Sequence, residues 1–464
     1  MNHNPEKKMP DFTKRVCTRK SWDARLHKPT GFIGPQTFLF LLVLLLGASS
    51  LFAKQPNVLL IMADDVGLEP IGCYGGESFD TPHVDALARK GMRFEHCYSM
   101  PVCHPSRLAL MTGRYPFRLK TGWGDFPKME EERSIGRVMQ KAGYATAVAG
   151  KWQMTLLKKD PGQPGRLGFD EWLLFGWHEG ARFHDPFLYQ NEKAARTEKG
   201  RYGPDLYADF LSAFMGNAHK EGKPFFAYFP MALAHDVTDD LKWQVPYVPG
   251  NDRWMNYGEM IASMDSTVGK LVSTLDRLGI RKETVVIFTG DNGTASRSKL
   301  RHLGKKGSKY EYEKVMVSRK GQSIAGGKGS LRGTGTRVPL IVNWPGTVKE
   351  GSINHDLVDF SDWLPTLAEL AGSKLDPERS LDGQSFANSF RGLKGPRRTY
   401  AFSESRGKQR FVRDQRWKLY ASGKMFDLEQ DPMEKKALPE NPGSKEALSA
   451  KARLAQALSD LDYP

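Results

Sequence analysis

Asn57-Val58-Leu59-Leu60-Ile61-Met62-Ala63-Asp64-Asp65-Val66-Gly67 is the stretch on which the reading of the fold turns. A short continuous apolar run that ends in two acids and a glycine reads as a strand buried on both faces, opening into a loop. Runs of the same kind recur downstream. Tyr144 to Ala149 stops at Gly150-Lys151, Pro224 to Phe229 leads to His235, and Thr284 to Thr289 stops at Gly290-Asp291-Asn292, with a weaker run at Leu340 to Asn343. Helical patterns fall between them, over Val84 to Lys90, Ser134 to Lys141, Tyr207 to His219 and Gly258 to Leu278. The last sets Met260, Met264, Val268, Leu271, Val272, Leu275 and Leu278 on one stripe and stops at Gly279, a favoured residue just past a helix. Strand alternating with helix predicts an α/β fold: a mostly parallel central sheet, helices on both faces, and ligands at the carboxyl ends of the strands.

Four of these strand ends deliver polar groups: Asp64 with Asp65, Lys151, His235, and Asp291 with Asn292. A parallel sheet brings all of them to one edge. Adjacent carboxylates repel one another, so acidic pairs gathered at one edge make chemical sense around a hard divalent cation. Taken singly, each pair also has a plainer reading, Asp-Asp as a helix cap and Asp-Asn-Gly as a turn.

Residues 1–53 read as a signal peptide with a long basic n-region: Lys7, Lys8, Lys14, Arg15, Arg19, Lys20, Arg25 and Lys28 precede the apolar Phe38 to Leu46, and Gly47, Ala48, Ser49 and Ser50 follow. The apolar segment ends near Ala53, short of the roughly 20 residues a spanning helix needs. Export to the periplasm or the exterior with cleavage is therefore expected, rather than stable membrane insertion; the long basic region keeps an uncleaved anchor open. Residues 54–385 read as the catalytic domain. After Leu364 to Gly372 the text becomes turn-rich, then offers two strand-like pieces, Gln409 to Ala421 and Lys424 to Leu428, and a polar helix from Ser444 to Asp460. Residues 386–464 accordingly read as a smaller C-terminal α+β subdomain with antiparallel strands.

With 39% hydrophobic content over 464 residues the chain is not disordered. Its net charge is +15, and residues 1–53 hold eight Lys/Arg against three Asp/Glu, so the remainder is still basic. A basic exported protein meets polyanions, and sulfated glycans qualify as well as nucleic acid or acidic lipid does. Of four cysteines, Cys17 lies in the leader while Cys73, Cys97 and Cys103 remain. An odd count in an oxidising compartment flags one thiol with another job. Whether Cys73 and Cys97 are bridged is not written in the sequence.

Cys103-His104-Pro105-Ser106-Arg107 is followed by Leu108 to Met111 and then by Thr112-Gly113-Arg114. Here the chain resembles the formylglycine-dependent sulfatases of the alkaline phosphatase-like superfamily, whose signature is Cys-x-Pro-Ser-Arg running into a helix and then Thr-Gly-Arg. The resemblance extends, in family order, to Asn57–Asp65, Ala149-Gly150-Lys151-Trp152, Gly290-Asp291-Asn292-Gly293, Gly326-Gly327-Lys328-Gly329, Arg337-Val338-Pro339, Phe426-Asp427-Leu428 and Asp431-Pro432. It implies an alkaline phosphatase-like fold and a sulfuric ester hydrolase of the arylsulfatase kind, acting on a sulfated small molecule or polysaccharide and not on nucleic acid. It also implies a maturation system that oxidises Cys103 to formylglycine. The hydrated aldehyde would attack sulfur with one oxygen and expel sulfate with the other. Carried over residue by residue, Asp64, Asp65, Asp291, Asn292 and the modified Cys103 would hold calcium. Arg107 would orient the modified residue, Lys151 and Lys328 would clamp sulfate oxygens, and His235 would be the acid for the leaving alcohol.

The chain departs from the family at several points. Gln153 stands where many sulfatases carry a histidine; it is expected to contact substrate or nucleophile, and it hydrogen-bonds without exchanging a proton near neutral pH. Asp236-Val237 replaces a common proline after the histidine, and Leu331-Arg332-Gly333-Thr334-Gly335 replaces a more usual aromatic-Glu-Gly-Gly run. Two rival readings follow: a phosphodiesterase or phosphonate hydrolase of the same superfamily, since both esters are tetrahedral, and a catalytically silent glycan-binding relative, suggested by Gln153. Finally, Arg297 to Lys320 carries nine Lys/Arg against Glu311 and Glu313, and lies between Asp291-Asn292 and Lys328. It is expected to help hold an extended sulfated polysaccharide, against the plainer reading of a solvated loop.

Overall fold

The computed structural model describes residues 55–177, 179–236, 256–302, 310–405 and 409–463. In chain order the first strands are β1 (Asn57–Ala63), β2 (Met92–Tyr98), β3 (Ala145–Trp152), β4 (Glu171–Gly176), β5 (Phe187–Gln190), β6 (Arg196–Thr197), β7 (Phe225–Pro230) and β8 (Thr284–Gly290). Two hairpins follow, β9 (Arg297–His302) with β10 (Tyr310–Lys314) and β11 (Met316–Arg319) with β12 (Gln322–Ala325), then β13 (Leu340–Asn343) and β14 (Ser352–Asp359). The last four are β15 (Ala401–Glu404), β16 (Arg410–Arg413), β17 (Trp417–Tyr420) and β18 (Met425–Asp427).

One sheet of ten strands runs β14-β2-β13-β8-β1-β7-β3-β4-β5-β6. Its middle, from β8 through β1, β7 and β3 to β4, is parallel. β13 enters antiparallel between β8 and β2, and β5 and β6 close the other side antiparallel. Strands β1, β7 and β8 are buried at every position, which is why they read as unbroken apolar runs. Successive side chains point to opposite faces and feed two cores. Leu59 and Ile61 meet the helices Gly203–Lys220 and Tyr257–Arg277, while Val58, Leu60 and Met62 meet Cys103–Thr112, Ile135–Lys141 and Trp363–Leu370. The Tyr257–Arg277 helix starts on a capping box between Asn256 and Glu259.

Two readings from sequence need correction. The run from Tyr144 does not stop at Gly150-Lys151: β3 continues to Trp152, so Lys151 is itself a strand residue. Gly150 permits this with φ of +116°, and a Cβ there would fall 2.2 Å from the carbonyl oxygen of Pro230. The segment Gln409 to Ala421 is two strands, not one. Its turn contains neither Gly nor Pro; Asp414 Oδ1 makes it by accepting from the N–H groups of Arg416 at 2.9 Å and Trp417 at 2.6 Å.

Strands β15 to β18 form an antiparallel sheet of four, in sequence order. The Lys445–Asp460 helix covers it, burying Ala450 and Leu454 with Phe402, Val412, Trp417 and Leu419, and Met100 and Tyr115 join this cluster from the larger sheet's side. Phe386, Ala387 and Phe390 lie in a core of the large sheet, so the antiparallel sheet begins after them. Residues 1–53, read from sequence as a leader, lie outside the described residues, as do Lys305, Lys306 and Lys309 of the basic segment. Among the described residues, no helix is long and apolar enough to cross a membrane.

Candidate active site

Backbone pairing carries the strand ends past the sheet. The Asp64 N–H donates to Leu233 O at 2.8 Å, the Ala234 N–H donates to Asp64 O at 2.7 Å, and the Asp291 N–H donates to Ala63 O at 2.9 Å. These bonds set Asp64, Asp291 and the residue before His235 side by side. Asp65 takes φ of +64°, rare without glycine. Its surroundings fix it there: its N–H donates to Asp291 Oδ1 at 3.2 Å, and its carbonyl accepts the Tyr257 hydroxyl at 2.9 Å. Its carboxylate accepts from Asn292 Nδ2 at 2.9 Å and Lys328 Nζ at 2.7 Å.

Cys103 opens a ten-residue helix of which nine residues are buried. One turn on, Arg107 Nη2 and Nε donate to Asp291 Oδ2 at 2.8 and 3.2 Å, and Nη1 donates to Lys151 O at 3.3 Å. Arg107 thus ties the cysteine-bearing turn to the ends of β8 and β3. Lys151 Nζ donates to Asp64 Oδ2 at 2.5 Å. Oxygen or sulfur atoms of Asp64, Cys103 and Asp291 all lie within 4.8 Å of one another.

Burial alone would raise the Asp64 carboxyl, but Lys151, His235, Arg107 and Lys328 hold it well below the usual carboxylate range. Burial and the Asp64 charge push Asp291 up to about 6, against the pull of Arg107 and Lys151. Burial would lower Arg107 and Lys328; Asp291 beside the one and Asp65 beside the other outweigh it and raise both. Two buried oxygens in this centre, Asp64 Oδ1 and Asn292 Oδ1, have no hydrogen-bond partner among the described residues. An unpaired buried carboxylate oxygen is costly, and hard oxygen donors converging on one point are what a divalent cation takes. The donor set therefore fits calcium.

His235 sits at the rim, its side chain 21% exposed and Nδ1 3.0 Å from Asp236 Oδ1. Gln153 directly follows β3 and is buried, its Oε1 without a partner among the described residues. The structure thus gathers Asp64, Asp65, Cys103, Arg107, Lys151, Asp291, Asn292 and Lys328 through direct contacts or the shared donor cluster.

Residues 56–373 match the sulfatase family, and residues 328–462 match the family described as N-sulphoglucosamine sulphohydrolase, C-terminal. The chain belongs to the sulfatase family. It is 32% identical to arylsulfatase A of Homo sapiens over 403 residues, spanning 78% of this chain and 73% of that protein. It is 30% identical to N-acetylgalactosamine-6-sulfatase of Rattus norvegicus over 366 residues, 71% of this chain and 64% of the relative. Ps i-CgsB, solved in complex with k-i-k-neocarrahexaose, shares the fold with a TM-score of 0.69 at 24% identity, over 88% of this chain and 93% of that one. This sulfatase is a sulfuric ester hydrolase.

Some groups that hold the sulfatase site carry no legible motif. Tyr257 reaches the Asp65 carbonyl from a helix 192 residues away in sequence. Behind Gly67, Thr294 donates to Glu69 at 2.6 Å, and the Thr294 carbonyl accepts the Lys328 N–H at 2.9 Å. Asp236, the partner of His235, is visible in sequence only as a departure from a common pattern. Gly293 has a plain signal: a Cβ there would fall 2.0 Å from Thr334 O, so only glycine lets the Lys328 loop close on Asp291-Asn292. Cys73 and Cys97 are not bridged.

Proposed function

We propose that this sulfatase hydrolyses the sulfate ester of a sulfated carbohydrate, with Cys103 oxidised to formylglycine and one calcium ion held by Asp64, Asp65, Asp291, Asn292 and the modified residue 103. The observation that carries this reading is the convergence of Asp64, Asp291 and Cys103 within 4.8 Å, beside two buried oxygens that lack partners among the described residues. Calcium there supplies positive charge against the sulfate oxygens and eases ionisation of the hydrated aldehyde. Arg107, anchored on Asp291, fixes the turn that presents residue 103. Lys151, within the end of β3, and Lys328, on the loop after β12, face the acids and bind the sulfate oxygens where charge builds up. His235 uses Nδ1 on Asp236, which leaves Nε2 to give a proton to the departing alcohol.

The carbohydrate reading is supported by a basic chain and by a relative named as an N-acetylgalactosamine-6-sulfatase. Residues 1–53 act in this reading as an export leader, residues 54–385 as the catalytic domain and residues 386–464 as its C-terminal subdomain, and a cellular maturation system installs the aldehyde. The test is a peptide mass spectrum of active protein together with turnover of desalted enzyme on a panel of sulfated sugars. Formylglycine at position 103 and release of sulfate from a sugar are expected. Unmodified cysteine alone in fully active protein overturns the nucleophile, and turnover confined to non-sugar sulfates overturns the substrate class.

A further inference from the structure

A cavity of about 630 Å³ lies where the C-terminal sheet meets the loop that carries Lys328, and it takes no part in the chemistry above. Its walls include Arg332, Arg410, Tyr420, Lys424, Phe426 and Glu434. The carboxylate among them is already committed. Glu434 Oε1 accepts from Lys418 Nζ at 2.8 Å and from the Gly333 N–H at 3.1 Å, and Oε2 accepts from the Tyr420 hydroxyl. Arg332 and Lys424 are exposed, and among the described residues neither side chain forms an ion pair. The cavity therefore offers cationic groups beside aromatic faces, which suits an anionic sugar: guanidinium binds a sulfate or carboxylate through paired N–H donors, and ring carbons lie against an aromatic face.

Two further observations link this cavity to the reaction. Arg332 lies four residues after Lys328 on the same loop, in the run Leu331 to Gly335 that departs from the family's usual aromatic-Glu-Gly-Gly. The Arg410 guanidinium lies 4.0 Å over the ring of Tyr463, and Tyr463 also lines a cavity of about 350 Å³ whose walls include Val102, His104 and Pro105, the residues flanking Cys103. One stacked pair thus separates a cavity beside the nucleophile turn from the basic one.

We propose that the basic cavity is an outer subsite for a second anionic group, a sulfate or a carboxylate, on a sugar further along the chain from the ester that is cleaved. The natural substrate is then an oligosaccharide or polymer. This rests on the carbohydrate reading above. The test compares wild type with the double variant Arg332→Ala/Lys424→Ala, using calorimetric binding of size-fractionated dextran sulfate and of polygalacturonate oligomers, alongside turnover of 4-nitrophenyl sulfate. The double variant should bind one or both oligomers about tenfold more weakly, with the difference shrinking as salt rises, while aryl sulfate turnover is unchanged. Weakening with dextran sulfate identifies a sulfate subsite, and weakening with polygalacturonate a carboxylate one. Equal binding by the two proteins, absence of binding to wild type, or a parallel loss of aryl sulfate turnover overturns the subsite. Because binding is read without turnover, failure to cleave any sulfated sugar refutes the carbohydrate reading separately.

Discussion

Two lysines in this sulfatase are buried against carboxylates, and their surroundings differ. Lys151 stands 2.5 Å from Asp64, with side chains 1% and 0% exposed; Lys418 stands 2.8 Å from Glu434, each 2% exposed. Burial does not separate the pairs, but hydrogen bonding does. Around Lys418 the network is closed: Nζ also donates to Leu331 O at 2.5 Å and lies 3.9 Å from the Phe411 ring centre, and both oxygens of Glu434 are taken. Around Lys151 it is open, because Asp64 Oδ1 has no partner among the described residues. A closed network joins two pieces of chain, here the Leu331–Gly333 loop and the C-terminal sheet; an open one keeps lone pairs for a ligand.

Breaking the open network is expected to have the largest effect, and on turnover. Cys103→Ala should lower aryl sulfate hydrolysis by about 10⁴-fold or more with the fold intact, read by kinetics and circular dichroism. Asp291→Ala should lose bound metal and activity together, since the remaining ligands no longer surround a cation. Full activity after exhaustive chelation, with no metal left by elemental analysis, would contradict the idea that the unpaired oxygens await a cation.

Breaking the closed network should instead cost stability. Lys418→Met leaves Glu434 buried without its cation, and the loss of one partner of such a pair is about 3–5 kcal/mol. Denaturant unfolding measures it, and metal content should match wild type. The same residue predicts a pH signature. Burial pushes Lys418 down to about 8 against the pull of Glu434, whereas an unfolded lysine titrates near about 10.4. Between those values the unfolded chain binds more protons than the folded one, so this group makes stability rise with pH across that window. Lys418→Met should lack the rise. Parallel stability–pH curves for the two proteins would show that Lys418 is not the group titrating.

The contrast also explains what sequence could show. β1, β7 and β8, buried on both faces, are visible as apolar runs, and their ends carry Asp64, Asp65, His235, Asp291 and Asn292 to one edge. β2 is obscured because Arg93, Glu95 and His96 interrupt its apolar residues, and β14 because its first half is mostly polar and partly exposed at the sheet's edge. The gathering of the site residues was legible for the same reason as the strands: residue types and order carry them to one edge. Which oxygens are satisfied was not, because Tyr257 and Asp65, or Lys418 and Leu331, meet only through packing of distant segments. The closed network carried no sequence signal beyond the departure at Leu331 to Gly335.

Gln153 is where the comparison can be sharpened with the smallest effect. It is 2% exposed, follows directly on the strand that supplies Lys151, and among the described residues its Oε1 lacks a partner, the same mark that Asp64 Oδ1 carries in the open network. An amide donates and accepts hydrogen bonds but does not exchange a proton near neutral pH. Gln153→Ala is therefore expected to lose about one hydrogen bond to substrate or nucleophile, roughly 1 kcal/mol or about fivefold in kcat/KM, with an unchanged pH profile. Gln153→His should be tolerated, and if position 153 contacts substrate or nucleophile its imidazole, titrating at about 6.5, should give kcat/KM a limb in that pH range. Steady-state kinetics of both variants from acid to neutral pH separate these outcomes. If Gln153→Ala leaves every kinetic constant unchanged, its buried oxygen is a packing feature, and an unpaired oxygen marks a ligand position only where, as at Asp64, it also carries charge.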